Sequence, residues 1–275
     1  MKYENSENLT QMTEAAKSIR RHIVNMVTDA KSGHPGGSLS AVEIMTALYF
    51  QTMDVDVDNP QKELRDRFVL SKGHATPVLY GTLAEKGYFP KEELTTFRKI
   101  NTLLQGHPDM KEIPGVDMSS GSLGQGLSVA NGMALAQKLD NTGKRVYTLL
   151  GDGEVQEGQI WEAAMTAAHY KLGNLVAFLD FNGLQIDGDI NNVMSPSPLK
   201  EKWEAFNWHV QEIDGHCFEE IFDAIEKANK ITEKPSIIIA KTVKGKGISF
   251  MENNAGWHGS APSEEQRQQA LKELE

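Results

Sequence analysis

Asp152 lies inside Gly151-Asp152-Gly153, and Asn182 stands thirty residues later; each falls just past an apolar run, Val146 to Leu150 and Leu175 to Leu179. An aspartate, an asparagine and an irregular backbone carbonyl such as that of Leu184 suit an octahedral hard cation, with diphosphate oxygens and a water completing the shell. Mg²⁺ bridging a diphosphate is the direct chemical reading. Gly151 and Gly153 would let the backbone approach phosphate, and a helix opening near Glu154 would aim free N–H groups at it. Gly-Asp-Gly alone is also an ordinary strand-to-helix turn. Asn182 at the end of the next run favours the site. A dinucleotide fingerprint fits less well, because Gln156 stands where its third glycine belongs.

His34, His74 and His107 sit in three glycine-flanked turns, Ser32-Gly33-His34-Pro35-Gly36-Gly37, Ser71-Lys72-Gly73-His74 and Gly106-His107-Pro108; His258 follows in Trp257-His258-Gly259. A loop histidine is by default a solvated group. Three at such turns are more than surface decoration usually supplies, and no HExxH pair is present, so phosphate, hydroxyl and proton contacts are favoured over a metal. Lys244-Gly245-Lys246-Gly247 lacks phosphate-loop spacing and reads as a basic flexible turn near the bound diphosphate. Glu157 reads as a solvated acid in a first helical turn. Cys217 has no cysteine partner and reads as a small packed side chain.

These groups need a scaffold. Run, tight turn, amphipathic segment with Ile160, Ala164, Ala167 and Ala168, then a second run make a βαβ unit. Further strands are expected at Arg67–Leu70, Trp208–Ile213 and Ser236–Thr242, with helices over 6–31, 75–87, 127–139, 199–206, 218–230 and 263–275. A new helix with Ser40 as N-cap should follow the first histidine turn, and a short polar helix should span 91–99. Asn191 to Pro198 reads as an active-site loop. The strand-helix alternation predicts an α/β fold, a doubly wound, mostly parallel sheet with helices on both faces. Ligands in such folds bind beyond the C-terminal strand ends.

With 275 residues, 39% of them hydrophobic, the chain suits one large domain over 1–275. Its net charge of −10 repels nucleic acid and anionic membrane. There is no signal-like apolar core, no run of membrane-spanning length and a lone cysteine, so a cytoplasmic enzyme is expected.

The Gly-Asp-Gly…Asn spacing resembles the thiamine diphosphate signature. The flanking EVQEGQIWEA and DFNGLQIDG, with SGHPGGSLSA, FVLSKGHATPVLY, GHPD, PGVDMSSGSLGQGLS and WHGSAP, resemble transketolase over most of the chain. Where the family usually has proline, this chain has Ser122. The resemblance implies transfer of a two-carbon ketol unit from a ketose phosphate to an aldose phosphate, dependent on thiamine diphosphate and Mg²⁺. It implies Mg²⁺ at Asp152, Asn182 and the Leu184 carbonyl. His74, Gly121, Leu123, Gly151, Gly153, Glu154 and His258 would lie around the cofactor, and His34, His107 and His258 on the substrate side. Glu157 would lie at a subunit interface, beside the acid that activates the cofactor, with Glu162 as a weaker candidate for the same network. The pyrimidine-binding and C-terminal domains of conventional transketolases have no counterpart here, so a second polypeptide and an α2β2 heterotetramer are expected. The α subunit of a 2-oxo acid dehydrogenase, a transketolase for an unusual sugar and a non-catalytic paralogue are the alternatives.

Overall fold

The computed structural model describes residues 6–275. Its strands are β1 (Arg67–Leu70), β2 (Val146–Gly151), β3 (Leu175–Phe181), β4 (Leu184–Gln185), β5 (Gly188–Asp189), β6 (His209–Asp214) and β7 (Ser236–Lys241). Five form a parallel sheet in the order β1-β2-β3-β7-β6, while β4 and β5 make a small antiparallel hairpin. The helices are α1 (Ser6–Ala30), α2 (Pro35–Leu39), α3 (Val42–Ala47), α4 (Thr76–Lys86), α5 (Gln125–Leu139), α6 (Gly158–His169), α7 (Ile190–Met194), α8 (Leu199–Ala205), α9 (Phe218–Asn229) and α10 (Glu264–Glu273).

The central strands are apolar without alternation because both of their faces are covered. Phe68, Leu70, Tyr147, Leu149, Val176 and Phe178 point into one core with α1, α3, α4 and α9. Val69, Val146, Leu150, Leu175, Ala177 and Leu179 point into the other, against α5, α6 and α8. Successive side chains of a strand face opposite ways, so one apolar run supplies two cores. The expected α/β sheet with helices on both faces is what the chain forms. Among the described residues no helix is long and apolar enough to cross a membrane.

Register decides where the chemistry sits. β2 and β3 pair with Gly151 opposite Asp180, so Asp152 and Asn182 emerge side by side over the same C-terminal edge.

Three local expectations are corrected. The helix after Gly153 does not open at Glu154: a 3₁₀ turn spans Glu154–Gln156, Glu157 is extended (ψ 131°), and α6 starts at Gly158. Ser40 caps no N-terminus, since α2 already begins at Pro35 and α3 is preceded by Ala41; the Ser40 hydroxyl instead donates to Asp180 at 2.5 Å. The 191–198 loop begins as α7, nucleated by Asp189, whose side chain accepts from the Asn191 N–H.

Candidate functional site

A cleft of about 400 Å³ opens over the ends of β2 and β3. Asp152, 3% exposed, accepts from the Gly153 N–H at 2.8 Å and, across the strand ends, from the Gly183 N–H at 2.7 Å. Asn182 Oδ1 accepts from the Leu184 N–H at 3.1 Å, and the Leu184 carbonyl accepts from Lys244 Nζ at 3.0 Å. Burial and then the charge of Asp180 push the Asp152 carboxyl up to about 6. One carboxylate, one amide oxygen and one carbonyl, all on the cleft wall beside a lysine ammonium, are donors of the kind that could hold a hard cation.

Gly151 and Gly153 test the diphosphate reading. A Cβ at either would make only ordinary contacts with the chain, 3.6 Å to Lys72 and 3.5 Å to Gln185. Nothing within the chain demands glycine there, and both residues line the cleft.

Two buried acids hold the turns in place. Glu154 lines the cleft, but its carboxylate is tied back into the scaffold by Ser71 Oγ at 2.5 Å and the N–H groups of Gly124 at 2.9 Å and Gly151 at 3.0 Å. It therefore braces the walls of the site. Asp180, fully buried, pairs with Lys72 and accepts from Ser40 and Thr242; Lys72 also donates to the Gly37 carbonyl at 2.6 Å. Burial opposes the Asp180 charge, yet the Lys72 ammonium and the two hydroxyls hold its carboxyl below the usual range.

His34, His74 and His258 come from distant turns to one cluster. Ring centroids lie 5.1 Å apart for His34–His74, 5.4 Å for His34–His258 and 5.2 Å for the stacked His74–His258 pair. Burial, reinforced by neighbouring cations, pushes them down to about 4 for His34, about 2 for His74 and about 3 for His258. Each is a neutral imidazole at pH 7, able to donate at one nitrogen and accept at the other. His107 is separate: it is exposed and outside the cleft lining, near Gly121, where an added Cβ would meet its ring at 3.2 Å.

Lys244 lines the cleft, as its expected place near the diphosphate implied, but it is held rather than flexible. It is 2% exposed, bonded to the Leu184 carbonyl and, at 3.1 Å, to His258 Nδ1; burial pushes it down to about 8. Its neighbour Val243 donates its N–H to His216 Nε2 at 2.9 Å, while His216 Nδ1 meets Glu43 at 2.9 Å. Gly121 and Leu123 line the cleft, as does the exposed Glu157. Sequence reasoning missed Lys72, Asp180 and Ile186. A carboxylate closing an apolar run was the available signal for Asp180, because a charge buried there requires a partner.

The sequence profile described as transketolase, thiamine diphosphate binding domain, matches residues 11–274. A 6-deoxy-6-sulfo-D-fructose transketolase subunit of Clostridium sp. (strain MSTE9) is 48% identical, the match covering 98% of each chain. An apulose-4-phosphate transketolase subunit of Phocaeicola vulgatus is 45% identical over 93% of this chain and 90% of that one. The crystal structure of Pichia stipitis transketolase superposes with a TM-score of 0.91 at 33% identity, over 96% of this chain and 40% of that one. Matched along nearly its whole length in sequence and in structure, this chain belongs to the transketolase family, to its thiamine diphosphate binding domain.

Proposed function

We propose that residues 1–275 are one domain, the diphosphate-binding subunit of a two-chain, Mg²⁺-dependent transketolase that moves a two-carbon ketol unit from an anionic ketose to an aldose phosphate. Coverage carries this reading: relatives named as subunits match over 98% and 90% of their own lengths, whereas the Pichia transketolase is spanned to 40%. A second chain would close the cleft beside Glu157 and Ile186, which is 68% exposed at the rim, in an assembly of two copies of each. The relatives named for 6-deoxy-6-sulfo-D-fructose and apulose 4-phosphate favour a less common ketose carrying a strongly anionic terminal group.

The carbanion chemistry would come from bound thiamine diphosphate. This chain's work is binding and proton handling. Asp152, Asn182 and the Leu184 carbonyl would hold Mg²⁺, with Lys244 and His74 facing the diphosphate. His34 and His258 would hydrogen-bond substrate hydroxyls and pass protons, a neutral imidazole donating at one nitrogen while accepting at the other. His107 would act from the rim, and Glu157 would meet the partner's cofactor-activating acid.

The test is reconstitution. Co-expressed with the polypeptide encoded beside it and supplied with Mg²⁺ and thiamine diphosphate, the pair should transfer ketol units from xylulose 5-phosphate, 6-deoxy-6-sulfofructose or apulose 4-phosphate, and the Asp152→Ala pair should not. Transfer by this chain alone would overturn the two-chain reading. Pyruvate decarboxylation would identify a 2-oxo acid dehydrogenase subunit, and a pair that binds no cofactor would be a non-catalytic paralogue.

A further inference from the structure

Asp180 has no place in the ligand set above, yet the site converges on it. It is fully buried at the end of β3, two residues before Asn182. Its donors arrive from four directions: Lys72 from the turn after β1, Ser40 from the segment after α2, Thr242 from the end of β7, and Asn182 Nδ2 at 3.4 Å. Lys72 also holds the Gly37 carbonyl, tying in the turn that carries His34.

The chemistry of these contacts orients one amide. An ion-paired carboxylate only accepts hydrogen bonds, so the edge of Asn182 that faces Asp180 must be its NH₂ group. The Leu184 N–H, 3.1 Å from Asn182 Oδ1, imposes the same orientation from the other side. Oδ1 is thereby turned towards Leu184 and the cation position, where the opposite flip would put two N–H donors. A rotated amide there repels a cation.

We propose that Asp180, held by Lys72, is the positioning residue that fixes the Asn182 amide and thereby sets the affinity of this site for a divalent cation. The inference rests on the cation-site reading above. The buried pair carries a second cost: removing one partner leaves an uncompensated buried charge, whereas replacing both with groups of similar volume is tolerated. Positioning is therefore read from variants that replace both.

Two double variants, each assembled with the partner chain, separate positioning from stability. K72M/D180N removes both charges but leaves an amide oxygen that can accept from Asn182. K72M/D180L removes the charges and the acceptor together. The readout is the Mg²⁺ concentration that half-saturates thiamine diphosphate binding, followed by quenching of tryptophan fluorescence, alongside the melting temperature without cofactor. K72M/D180L should need about 10- to 100-fold more Mg²⁺ than K72M/D180N, the range in which outer partners of metal ligands act, the Lys72 change being common to both. Equal weakening in both, or in neither, overturns the proposal. If K72M/D180L does not assemble, Asp180→Glu, which keeps the charge pair and shifts the acceptor by a methylene, must raise the Mg²⁺ requirement on the order of tenfold; an unchanged requirement overturns it as well. If the unmodified complex binds cofactor without any divalent cation, the cation-site reading itself fails, which is a separate result.

Discussion

At the residue scale, the buried imidazoles make the fold acid-sensitive. His34, His74 and His258 titrate in the folded chain at about 4, 2 and 3, against 6.5 for a free histidine. Below pH 6.5 the unfolded chain therefore takes up protons that the folded chain refuses, so stability falls as pH falls and is recovered as pH rises towards neutrality. Melting temperature measured between pH 7 and 4.5 should decline, and His74→Asn should flatten that decline; an unchanged slope would remove His74 from the account. Lys244→Met should separate stability from binding. The desolvated ammonium is replaced by an apolar chain of similar volume, which offsets the partners left at the Leu184 carbonyl and His258 Nδ1, so the melting temperature without cofactor should change little, while the affinity of the complex for thiamine diphosphate drops by tenfold or so, the worth of about 1.4 kcal/mol. Isothermal titration of the complex and thermal melts of the free chain check the two halves.

At the scale of elements, Glu154 ties three turns together, and its removal should be felt across the site. Glu154→Ala strands the N–H groups of Gly124 and Gly151 and the Ser71 hydroxyl, at about 1–3 kcal/mol for each buried donor left unsatisfied. Glu154→Gln keeps an acceptor oxygen and should lose less; urea unfolding of both variants gives the comparison. The elements themselves were largely legible. Continuous apolar runs located β2, β3 and β7, and the positions of Asp152 and Asn182 beyond two of them pointed to the cleft that both residues line. What escaped was whatever depended on a partner far along the chain. Ser40 has the residue type of a helix cap, and only its distance to Asp180, 140 residues away, reveals its use. The start of α6 was misplaced because the Glu154 side chain turns inward to Ser71 and holds a 3₁₀ turn where helical residues were expected. Lys72 and Asp180, 108 residues apart, are each ordinary in their own segment. His107 shares the glycine-flanked turn of the other histidines, yet it stays at the rim, since turn chemistry sets local shape and not the direction in which a loop is aimed.

At the scale of the molecule, a parallel sheet brings together strand ends that are distant in sequence, and a ligand spanning them braces them against one another. Cofactor that binds the folded complex and not the unfolded chains adds about 2.7 kcal/mol at one hundred times its dissociation constant. The melting temperature of the complex should therefore climb with thiamine diphosphate concentration in Mg²⁺ and fall back on addition of EDTA; differential scanning fluorimetry of the reconstituted pair measures both. The net charge of −10 acts in the other direction, against an approaching diphosphate, so local cations must do the attracting.

The ammonium of Lys244 on the Leu184 carbonyl gives that attraction its form. A divalent ion bound through this oxygen would have to compete with a positive charge already resting there, so loading the proposed site would exchange one cation for another. An ion arriving with a diphosphate would also bring an anion to which the displaced lysine could turn. Each ligand would then lower the work required to admit the other, a reciprocal coupling carried by the position of a single side chain.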